Sequence, residues 1–283
     1  MSRRSLVVRI GVLTAACAVA VALWSGPAAD GGWRLIALDV GQGDAILLQT
    51  PDGSDVLVDG GPDERVVERL TKFMSPSDRT LELVVLTHPD ADHVGGLPAV
   101  AEHFRIERVL ETAVRSPSRA DRTWEAALDA QQTVRLKAAS GQAMTIGGVE
   151  ITVLWPPADT PADAEPRNDT SVVLHLRYGE VDILLTGDIS SDVEQRLVAT
   201  GVLPDVEVLK VPHHGSISSS SQEFLDALKP ETAVISVGRN NRYGHPHPVV
   251  LRRLERRGIE VRRTDVDGDV VLTVDGNGLH VGS

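Results

Sequence analysis

Two histidines and two aspartates lie within six consecutive positions in the first third of the chain. The segment reads THPDADHVGG and follows an apolar run at residues 83–86, so these side chains enter a turn at the end of a predicted strand. Imidazoles and carboxylates at this density are typical of a two-metal site, with ions about 3.5–4 Å apart. The alternative is a polar turn in which one aspartate caps a helix, but a cap explains neither histidine. We therefore predict metal ligation by His88, Asp90, Asp92 and His93.

Three further segments, TGD, VPHHGS and YGHPHP, place similar side chains after β-rich runs, and with the first they hold six of the nine histidines. Asp188 in TGD is a candidate ligand. His213 and His214 would point in opposite directions in an extended chain. We expect His213 to bind metal and His214 to contact substrate or donate a proton. His245 and His247 lie in a loop framed by prolines, which favours preorganised ligands, although a rigid surface turn is the alternative for His245.

The other three histidines are predicted to lie outside the site. His103 falls in a helical run and His280 near the C-terminus, where both are expected to be exposed. His175 alternates with apolar residues in a predicted strand, where a histidine is more often paired with a neighbour than bound to a metal.

The bulk composition excludes some classes of function. The 283 residues are 42% hydrophobic and 24% charged, which is typical of a globular protein. The net charge of −12 argues against a nucleic-acid binder that relies on a broad basic surface. Any polyanionic substrate would therefore need local cations, for which metal ions are the obvious candidates. The single cysteine, Cys17, rules out an intramolecular disulfide.

The N-terminus predicts export or membrane attachment. Arg3 and Arg4 precede an apolar stretch that is uninterrupted from Ile10 to Trp24, and small residues follow it. Residues 1–30 are predicted to form a secretory signal or a membrane anchor, and the last membrane helix of a longer protein is the alternative. Arginines on the N-terminal side keep that end in the cytoplasm, so the remaining residues are expected to be extracytoplasmic.

The order of predicted strands and helices indicates an α/β protein. Strand-like runs and amphipathic helices alternate in a first series up to Gln131, which includes a helix at residues 94–104, and in a second series from Thr133. Two such series favour two sheets packed face to face, with helices on both outer sides. Residues 31–283 are therefore expected to form one domain.

Seven segments carry a resemblance to a known family: LDVGQGDAILL, VLVDGG, LTHPDADHVGG, NDTSVVL, LLTGDI, LKVPHHGS and YGHPHP. In this order they resemble the metallo-β-lactamase-fold hydrolases, and more narrowly the extracytoplasmic hydrolase domain of the competence DNA-internalisation (ComEC) family. The resemblance covers residues 33–280 and implies an αββα sandwich with a two-metal site along one edge. Full-length family members carry a multi-helix channel, whereas this chain has one apolar segment. The chain is therefore expected to be either a separated hydrolase domain, with a separate membrane channel protein as its partner, or a stand-alone relative.

The resemblance also implies a set of metal ligands and a metal preference. The implied set comprises His88 and Asp90 for one ion, Asp92 and His93 for the other, Asp188 as the bridge, and His213 and His247. The wider superfamily usually has histidine where this chain has Asp90, and often another histidine in the region that here holds Asn168 and Ser171. Oxygen ligands are harder than imidazole, so the site is expected to prefer Mn²⁺ or Mg²⁺, with Zn²⁺ as the alternative.

The resulting hypothesis is a metal-dependent phosphodiesterase acting on single-stranded DNA or on one strand of a duplex. Asp92 is expected to act on the attacking water, and His214 or Lys210 to meet the phosphate or the leaving group. Asp44 and Asp59 are expected to support the loops around the site, as is Gln42. The alternatives are a hydrolase of a small ester, thioester or nucleotide, and a non-catalytic domain that docks on an uptake complex.

Overall fold

The computed structural model describes residues 32–165, 167–275 and 278–282. The predicted N-terminal segment at residues 1–30 lies outside this part of the chain. Within the described ranges, no helix is both long enough and apolar enough to cross a bilayer.

The described residues form two large sheets. In spatial order the eight strands of the first sheet are β17 (Gly278–Gly282), β16 (Val270–Asp275), β1 (Trp33–Ala37), β2 (Ile46–Gln49), β3 (Asp55–Val58), β5 (Leu83–Leu86), β7 (Arg108–Glu111) and β8 (Val134–Lys137). The seven strands of the second sheet are β15 (Glu260–Arg263), β14 (Thr232–Ile235), β13 (Val208–Lys210), β12 (Val181–Leu185), β11 (Val173–Tyr178), β10 (Val149–Trp155) and β9 (Ala143–Ile146). A small parallel pair joins β4 (Thr80–Leu81) to β6 (Arg105–Ile106).

Helices cover the outer face of each sheet. Those on the first sheet are α1 (Arg65–Phe73), α2 (Ala91–Val94), α3 (Leu97–His103) and α4 (Arg119–Gln131). Those on the second sheet are α5 (Ser191–Thr200), α6 (Gln222–Leu228) and α7 (Pro248–Glu255), and a short α8 (Thr264–Asp267) follows β15. Single 3₁₀ turns occur at Arg167–Thr170 and Pro212–Gly215. The predicted αββα arrangement is therefore confirmed.

Strand periodicity explains why the layers form in this way. Along β1, Leu35 faces the other sheet, where it joins Ile151 and Leu174 in the central core. Its neighbour Ile36 faces outward and packs with Leu70 of α1. Successive side chains of a strand point to opposite faces, so a fully apolar strand can bury both faces at once. The continuous apolar runs read from the sequence are therefore strands with a sheet on one side and helices on the other.

The helix predicted at residues 94–104 is divided in the structure into α2 and α3. The division falls at Gly95 and Gly96, and Pro98 lies at the start of the second helix. A Cβ atom on Gly95 would lie 2.2 Å from the carbonyl oxygen of Pro62, so only glycine permits this approach of the two segments. The first helix consequently begins at Ala91, inside the segment that carries the predicted ligands.

Both sheets present the carboxyl ends of parallel strands at the same edge of the sandwich. In the first sheet β3, β5, β7 and β8 run parallel, and in the second β12, β13, β14 and β15 do so. A hydrogen bond from Val172 N to Thr87 O, 3.0 Å long, links the two sheets at this edge. Ligands of α/β proteins bind outside the carboxyl ends of the strands, and the predicted site lies there.

Asp55, at the start of β3, should make the stability of the fold depend on pH, independently of the predicted site. Burial raises the pKa of this carboxyl to about 7, although Gln49 donates a 2.8 Å hydrogen bond to it. A folded-state pKa above the unfolded value of 3.8 means that the stabilisation is complete below about pH 4 and is lost as the pH rises through about 7. The difference between the two values corresponds to at most about 4 kcal/mol.

The substitution Asp55→Asn should remove this loss of stability at high pH. Asparagine keeps the acceptor for Gln49 and carries no charge. We expect the variant to be more stable than wild type at pH 8, with the gain shrinking towards pH 5, when unfolding free energies are measured by urea titration. Asp159→Asn, in an exposed loop, is the control. A gain for Asp55→Asn that is the same at both pH values would contradict the assignment.

Candidate metal centre

Six of the seven predicted ligands lie at three strand ends. The loop between β5 and α2 carries His88 and Asp90, and α2 itself carries Asp92 and His93. Asp188 follows β12, and the histidine pair at residues 213–214 follows β13. These segments belong to different sheets, so the cluster exists only because the two parallel edges meet.

Close backbone contacts hold α2 against the loop that follows β1. Gly43 has a φ of +140°, and a Cβ atom on it would lie 2.2 Å from the carbonyl oxygen of Asp92. The next residue, Asp44, donates its backbone N–H to the same oxygen at 3.2 Å. Gly43, the second glycine of GQGD, is therefore required for this close contact. The contact brings the Asp44 carboxylate beneath the cluster.

Asp188 occupies the centre of the cluster. One of its carboxylate oxygens, Oδ2, lies 3.3 Å from His93 Nε2 and 3.3 Å from His214 Nε2. His214 Nε2 also lies 3.4 Å from Asp92 Oδ2. Four groups of side chains have donor atoms close enough together to hold a metal ion. Two of them are His88, His93 and Asp188, and Asp92, His93 and His214, and they share His93, whose Nε2 can bind one ion. The central position of Asp188 is the position that a bridging carboxylate would take.

A second set of contacts orients the imidazole rings. His93 Nδ1 lies 2.8 Å from Asp59 Oδ2, and His214 Nδ1 lies 2.9 Å from the carbonyl oxygen of Ser236. His88 Nδ1 lies within 3.3 Å of the hydroxyl of Ser171. In each ring Nδ1 has a partner, so Nε2 faces the cluster, as is usual for metal-binding histidines.

The fit to a metal rests on buried atoms that lack partners. Within the described part of the chain, the Nε2 atoms of His88, His93 and His214 are buried without a hydrogen-bond partner, and so is Asp188 Oδ1. Leaving several converging polar atoms unpaired in this way is costly in the absence of a ligand. Neutral imidazole nitrogens and carboxylate oxygens are donors for divalent ions, so the residues present fit a metal centre.

The protonation states of the side chains show how strongly negative the cluster is. Burial disfavours the charged forms of His93 and His214. The carboxylate of Asp188 outweighs this effect of burial and raises the pKa of both rings well above the usual value. Asp59 adds to the rise at His93, and Asp44 adds to the rise at His214. Burial also opposes ionisation of Asp188, yet these two rings hold its pKa well below the usual range. The site therefore holds carboxylates that require compensating positive charge.

Lys210 supplies one such positive charge from within the protein. Its side chain is 1% exposed, and Nζ is ion-paired with Asp44, lies 3.5 Å from Asp188 Oδ1 and donates to Gly187 O at 3.0 Å. Burial by itself would lower the pKa of Lys210. The carboxylates of Asp44 and Asp188 outweigh the effect of burial, so the pKa of Lys210 is raised. The residue does not line the cavity described below, so the structure places it behind the ligands and not against a substrate phosphate.

The histidine pair adopts a conformation that the sequence did not reveal. His213 and His214 have φ values of +50° and +53°, so the backbone here is left-handed and not extended. His214 is buried within the ligand cluster. His213 is partly exposed, with Nε2 4.0 Å from Asp188 Oδ2 and 3.5 Å from Asn168 Nδ2. The structure thus places His214 at the position expected for His213.

The two histidines of the YGHPHP segment also separate. His247 lies at the N-cap of α7, where Nδ1 accepts a hydrogen bond from Val249 N at 3.2 Å. It does not line the cavity, whereas His245 does, with its ring 5.6 Å from that of His213. The structure therefore brings His245, and not the expected His247, to the edge of the site.

Asp90, the departure from the usual superfamily pattern, has an unexpected partner. Arg167 Nε donates to Asp90 Oδ1 at 2.8 Å, and Asp90 Oδ2 lies 4.0 Å from His88 Nε2. The arginine offsets part of the added negative charge. One carboxylate oxygen still faces the neighbouring histidine and remains suitable as a metal ligand.

An open cavity of about 150 Å³ gives access to the cluster. Its lining side chains are all polar or aromatic and comprise Gln42, Asp90, Asp92, Asn168, Asp188, His213, His214, Tyr243 and His245. Arg167, Ser171 and Tyr243 were not identified as site residues from the sequence. Ser171 and Tyr243 lie within the NDTSVVL and YGHPHP segments, and Arg167 directly precedes the first of these, so only their place in or beside the motifs could have suggested them.

The histidines expected to lie outside the site do so. His103 is exposed and Nδ1 contacts Ala99 O, and His280 lies 3.3 Å from Asp275 Oδ1. His175 is paired across strands with Asp182, at 2.5 Å.

The fold and this site define the class of protein. The chain belongs to the metallo-beta-lactamase superfamily, whose sequence model matches residues 38–239. A solved structure with the same fold is the metallo-beta-lactamase fold protein YhfI from Bacillus subtilis, with a TM-score of 0.56 and 13% identity, covering 82% of this chain and 96% of that protein.

Two curated relatives show a narrower similarity. ComE operon protein 3 of Bacillus subtilis is 32% identical over 274 residues, which cover 90% of this chain and 34% of the relative. Competence protein ComA of Neisseria gonorrhoeae is 31% identical over 232 residues, which cover 81% of this chain and 30% of the relative. The chain thus spans about a third of the length of these relatives. The expected resemblance to the hydrolase domain of competence proteins is confirmed.

Proposed function

We propose that this chain is a metal-dependent phosphodiesterase that cleaves DNA, as a single strand or as one strand of a duplex, outside the cytoplasmic membrane during DNA uptake. The observation that carries the proposal is the open, polar cavity above a buried cluster rich in carboxylates. The similarity to a relative named competence protein ComA supports the connection with uptake. The predicted export signal or membrane anchor at residues 1–30 supports the proposed location, and a separate channel protein remains the proposed partner.

The proposed cofactor is a pair of divalent ions, with Mn²⁺ or Mg²⁺ favoured over Zn²⁺. The proposed ligands are His88, Asp90, Asp92, His93, Asp188 and His214. Half of these residues donate carboxylate oxygen, which favours hard cations. When bound, two such ions would neutralise phosphate charge and clamp the attacking and leaving oxygens.

Asp92 is proposed to orient the attacking water. Its carboxylate lines the cavity, and Oδ2 lies 3.4 Å from His214 Nε2. Burial opposes ionisation of Asp92, but the neighbouring rings of His214 and His93 outweigh that effect and hold the pKa of Asp92 well below its usual range. The carboxylate is therefore an anionic acceptor, which is the form that binds and orients a water proton.

His213 is proposed to contact the phosphate or the leaving group, the role that the sequence assigned to His214. Its side chain is 30% exposed at the mouth of the cavity, next to Asn168. Burial lowers the pKa of His213, which favours a neutral ring that can both donate and accept a hydrogen bond. Lys210 is proposed to act behind the ligands by holding Asp44 and Asp188 in place.

The nature of the cavity argues against a small ester or thioester as the substrate. Pockets for such ligands are lined mostly by apolar side chains, with a few polar groups that fix the orientation. Here Asp90, Asp92 and Asp188 share the wall with histidines and amides. Such a wall repels anions in the absence of metal ions and accepts a phosphate only once they are bound.

The test is hydrolysis of labelled oligonucleotides by the full 283-residue chain. We expect cleavage of single strands with Mn²⁺ or Mg²⁺, weaker cleavage with Zn²⁺ and none with EDTA, because the carboxylates are then left without their counter-ions. Hydrolysis of a p-nitrophenyl ester without any cleavage of nucleic acid would support the small-substrate alternative. Metal binding without hydrolysis of either substrate would support the docking domain.

A further inference from the structure

Tyr243 is an exposed aromatic side chain at the rim of the metal-centre cavity. It is 54% exposed and lines the cavity together with Asp92 and His213. The cavity volume of about 150 Å³ is below the ~300–1,000 Å³ of a usual ligand pocket. A phosphate fits such a space, but the nucleobase attached to it would have to lie outside, on the rim.

The rim carries a row of aromatic rings that leads towards the metal centre. The rings of Tyr243 and His245 are stacked, with centroids 5.8 Å apart and an interplanar angle of 25°. His245 in turn meets His213 edge to face, with centroids 5.6 Å apart. The outer face of Tyr243 is therefore the exposed end of a row whose inner end lies beside the ligands.

Asn241 holds this row in place through both ends of its amide. Its Oδ1 accepts hydrogen bonds from the backbone N–H groups of Tyr243 and His245, at 3.2 and 3.0 Å. Its Nδ2 donates to the carbonyl oxygens of Gly238 and His245, at 3.0 and 2.6 Å. A loop closed by four such bonds presents a preorganised surface, which lowers the entropic cost of binding.

Arg242 places a positive charge over the hydroxyl end of the exposed ring. Its guanidinium lies 5.2 Å from the centroid of the Tyr243 ring, and Nη2 donates to Tyr243 Oη at 3.2 Å. No acidic side chain among the described residues lies within ion-pair distance of it. In a chain with a net charge of −12, this arginine remains available to a phosphate group.

We propose that Tyr243 is a stacking platform for a nucleobase of single-stranded DNA and that Arg242 binds a neighbouring phosphate. Aromatic side chains that stack on bases, next to cations that follow the backbone, are how proteins hold single strands without sequence preference. Bases within a duplex are already stacked, so the platform favours single strands. This inference rests on the proposed function, because the phosphate that enters the cavity belongs to the same strand.

The test compares Tyr243→Ala and Tyr243→Phe by fluorescence anisotropy with a labelled single-stranded DNA. All proteins carry Asp92→Asn so that cleavage is slow compared with the binding measurement, and Mn²⁺ is present throughout. We expect Tyr243→Ala to raise the Kd by roughly 5- to 150-fold and Tyr243→Phe to leave it nearly unchanged. A series of oligonucleotides, each lacking the base at a different position, identifies the stacked base. For the parent protein with Tyr243 intact, one of these abasic positions should raise the Kd as much as Tyr243→Ala does. The same abasic position should not raise the Kd of the Tyr243→Ala protein any further.

Arg242→Gln should weaken binding and reduce its salt dependence, whereas Arg256→Gln, an exposed arginine of the α7 end that does not line the cavity, should not. Equal binding by Tyr243→Ala and its parent, tighter binding of the matching RNA strand, or no binding by the parent would each overturn the platform. Hydrolysis by the chain with intact Asp92 is measured in parallel. If one of these outcomes occurred while hydrolysis persisted, the stacking platform would be refuted and the proposed function would not.

Discussion

Substitution of Asp92 by asparagine should reduce hydrolysis of a single-stranded oligonucleotide by roughly 10²- to 10³-fold or more. Asparagine has the same size but no charge, so it loses both a proposed metal-ligand oxygen and the acceptor for the attacking water. The fold should survive, because the N-cap of α2 is Asp90 and Asp92 makes no capping bond. Turnover with Mn²⁺ and thermal melting without metal are the two measurements.

The matched control for Asp92→Asn is His103→Ala. His103 lies at the end of the neighbouring helix α3, is exposed, and forms a hydrogen bond within its own helix between Nδ1 and Ala99 O. We expect its turnover and melting temperature to be close to those of wild type. If Asp92→Asn retained turnover comparable to that of His103→Ala, Asp92 would have no role in the reaction and the two-metal hydrolase would be refuted.

Replacement of Lys210 by methionine should lower the free energy of unfolding by about 3–5 kcal/mol in the absence of metal. The substitution keeps most of the side-chain volume but leaves the carboxylates of Asp44 and Asp188 without their buried cation. Divalent ions supply positive charge at Asp188, one of these two carboxylates, so saturating Mn²⁺ should stabilise the variant more than it stabilises wild type. Urea unfolding with and without Mn²⁺ measures both effects.

Lys229→Met is the control for the buried lysine. Lys229 is paired with Asp205 at 3.0 Å, but both side chains are about two-thirds exposed, so its loss should cost less than about 1 kcal/mol. Mn²⁺ should stabilise this variant and wild type equally. A loss for Lys210→Met no larger than that for Lys229→Met would show that the lysine does not balance the buried carboxylates.

Much of the fold was predictable because its strands are short, apolar and separated by clear turns. Several elements escaped prediction. The strands β9 and β17 have mixed sequences and lie at the ends of the sheets, where only pairing with β10 and β16 makes them strands. The strands β4 and β6 and the helix α8 are only two to four residues long, too short for a periodic pattern. The division between α2 and α3 also escaped, although Gly95 and Gly96 are present in the sequence. A pair of glycines weakens a helix but does not by itself divide it. Here the close contact between Gly95 and Pro62 divides the helix.

Residue types and their positions along the chain identify the donors and the strand ends at which they lie. His88, Asp92, His93 and Asp188 follow predicted strands and fall in the order of the family's motifs, so a shared site could be predicted from the resemblance. Asp44 and Asp59 were likewise identifiable as supports, because they lie in the glycine-rich turns that border that edge.

The tertiary structure decided the orientation of the remaining side chains. The left-handed backbone at residues 213–214 turns His214, and not His213, towards the ligands. Capping of α7 draws His247 away and leaves His245 at the cavity. Lys210 pairs inward because Asp44, distant in sequence, lies directly beneath it. Such choices depend on contacts between segments far apart in the chain, and no local pattern of residue types records them.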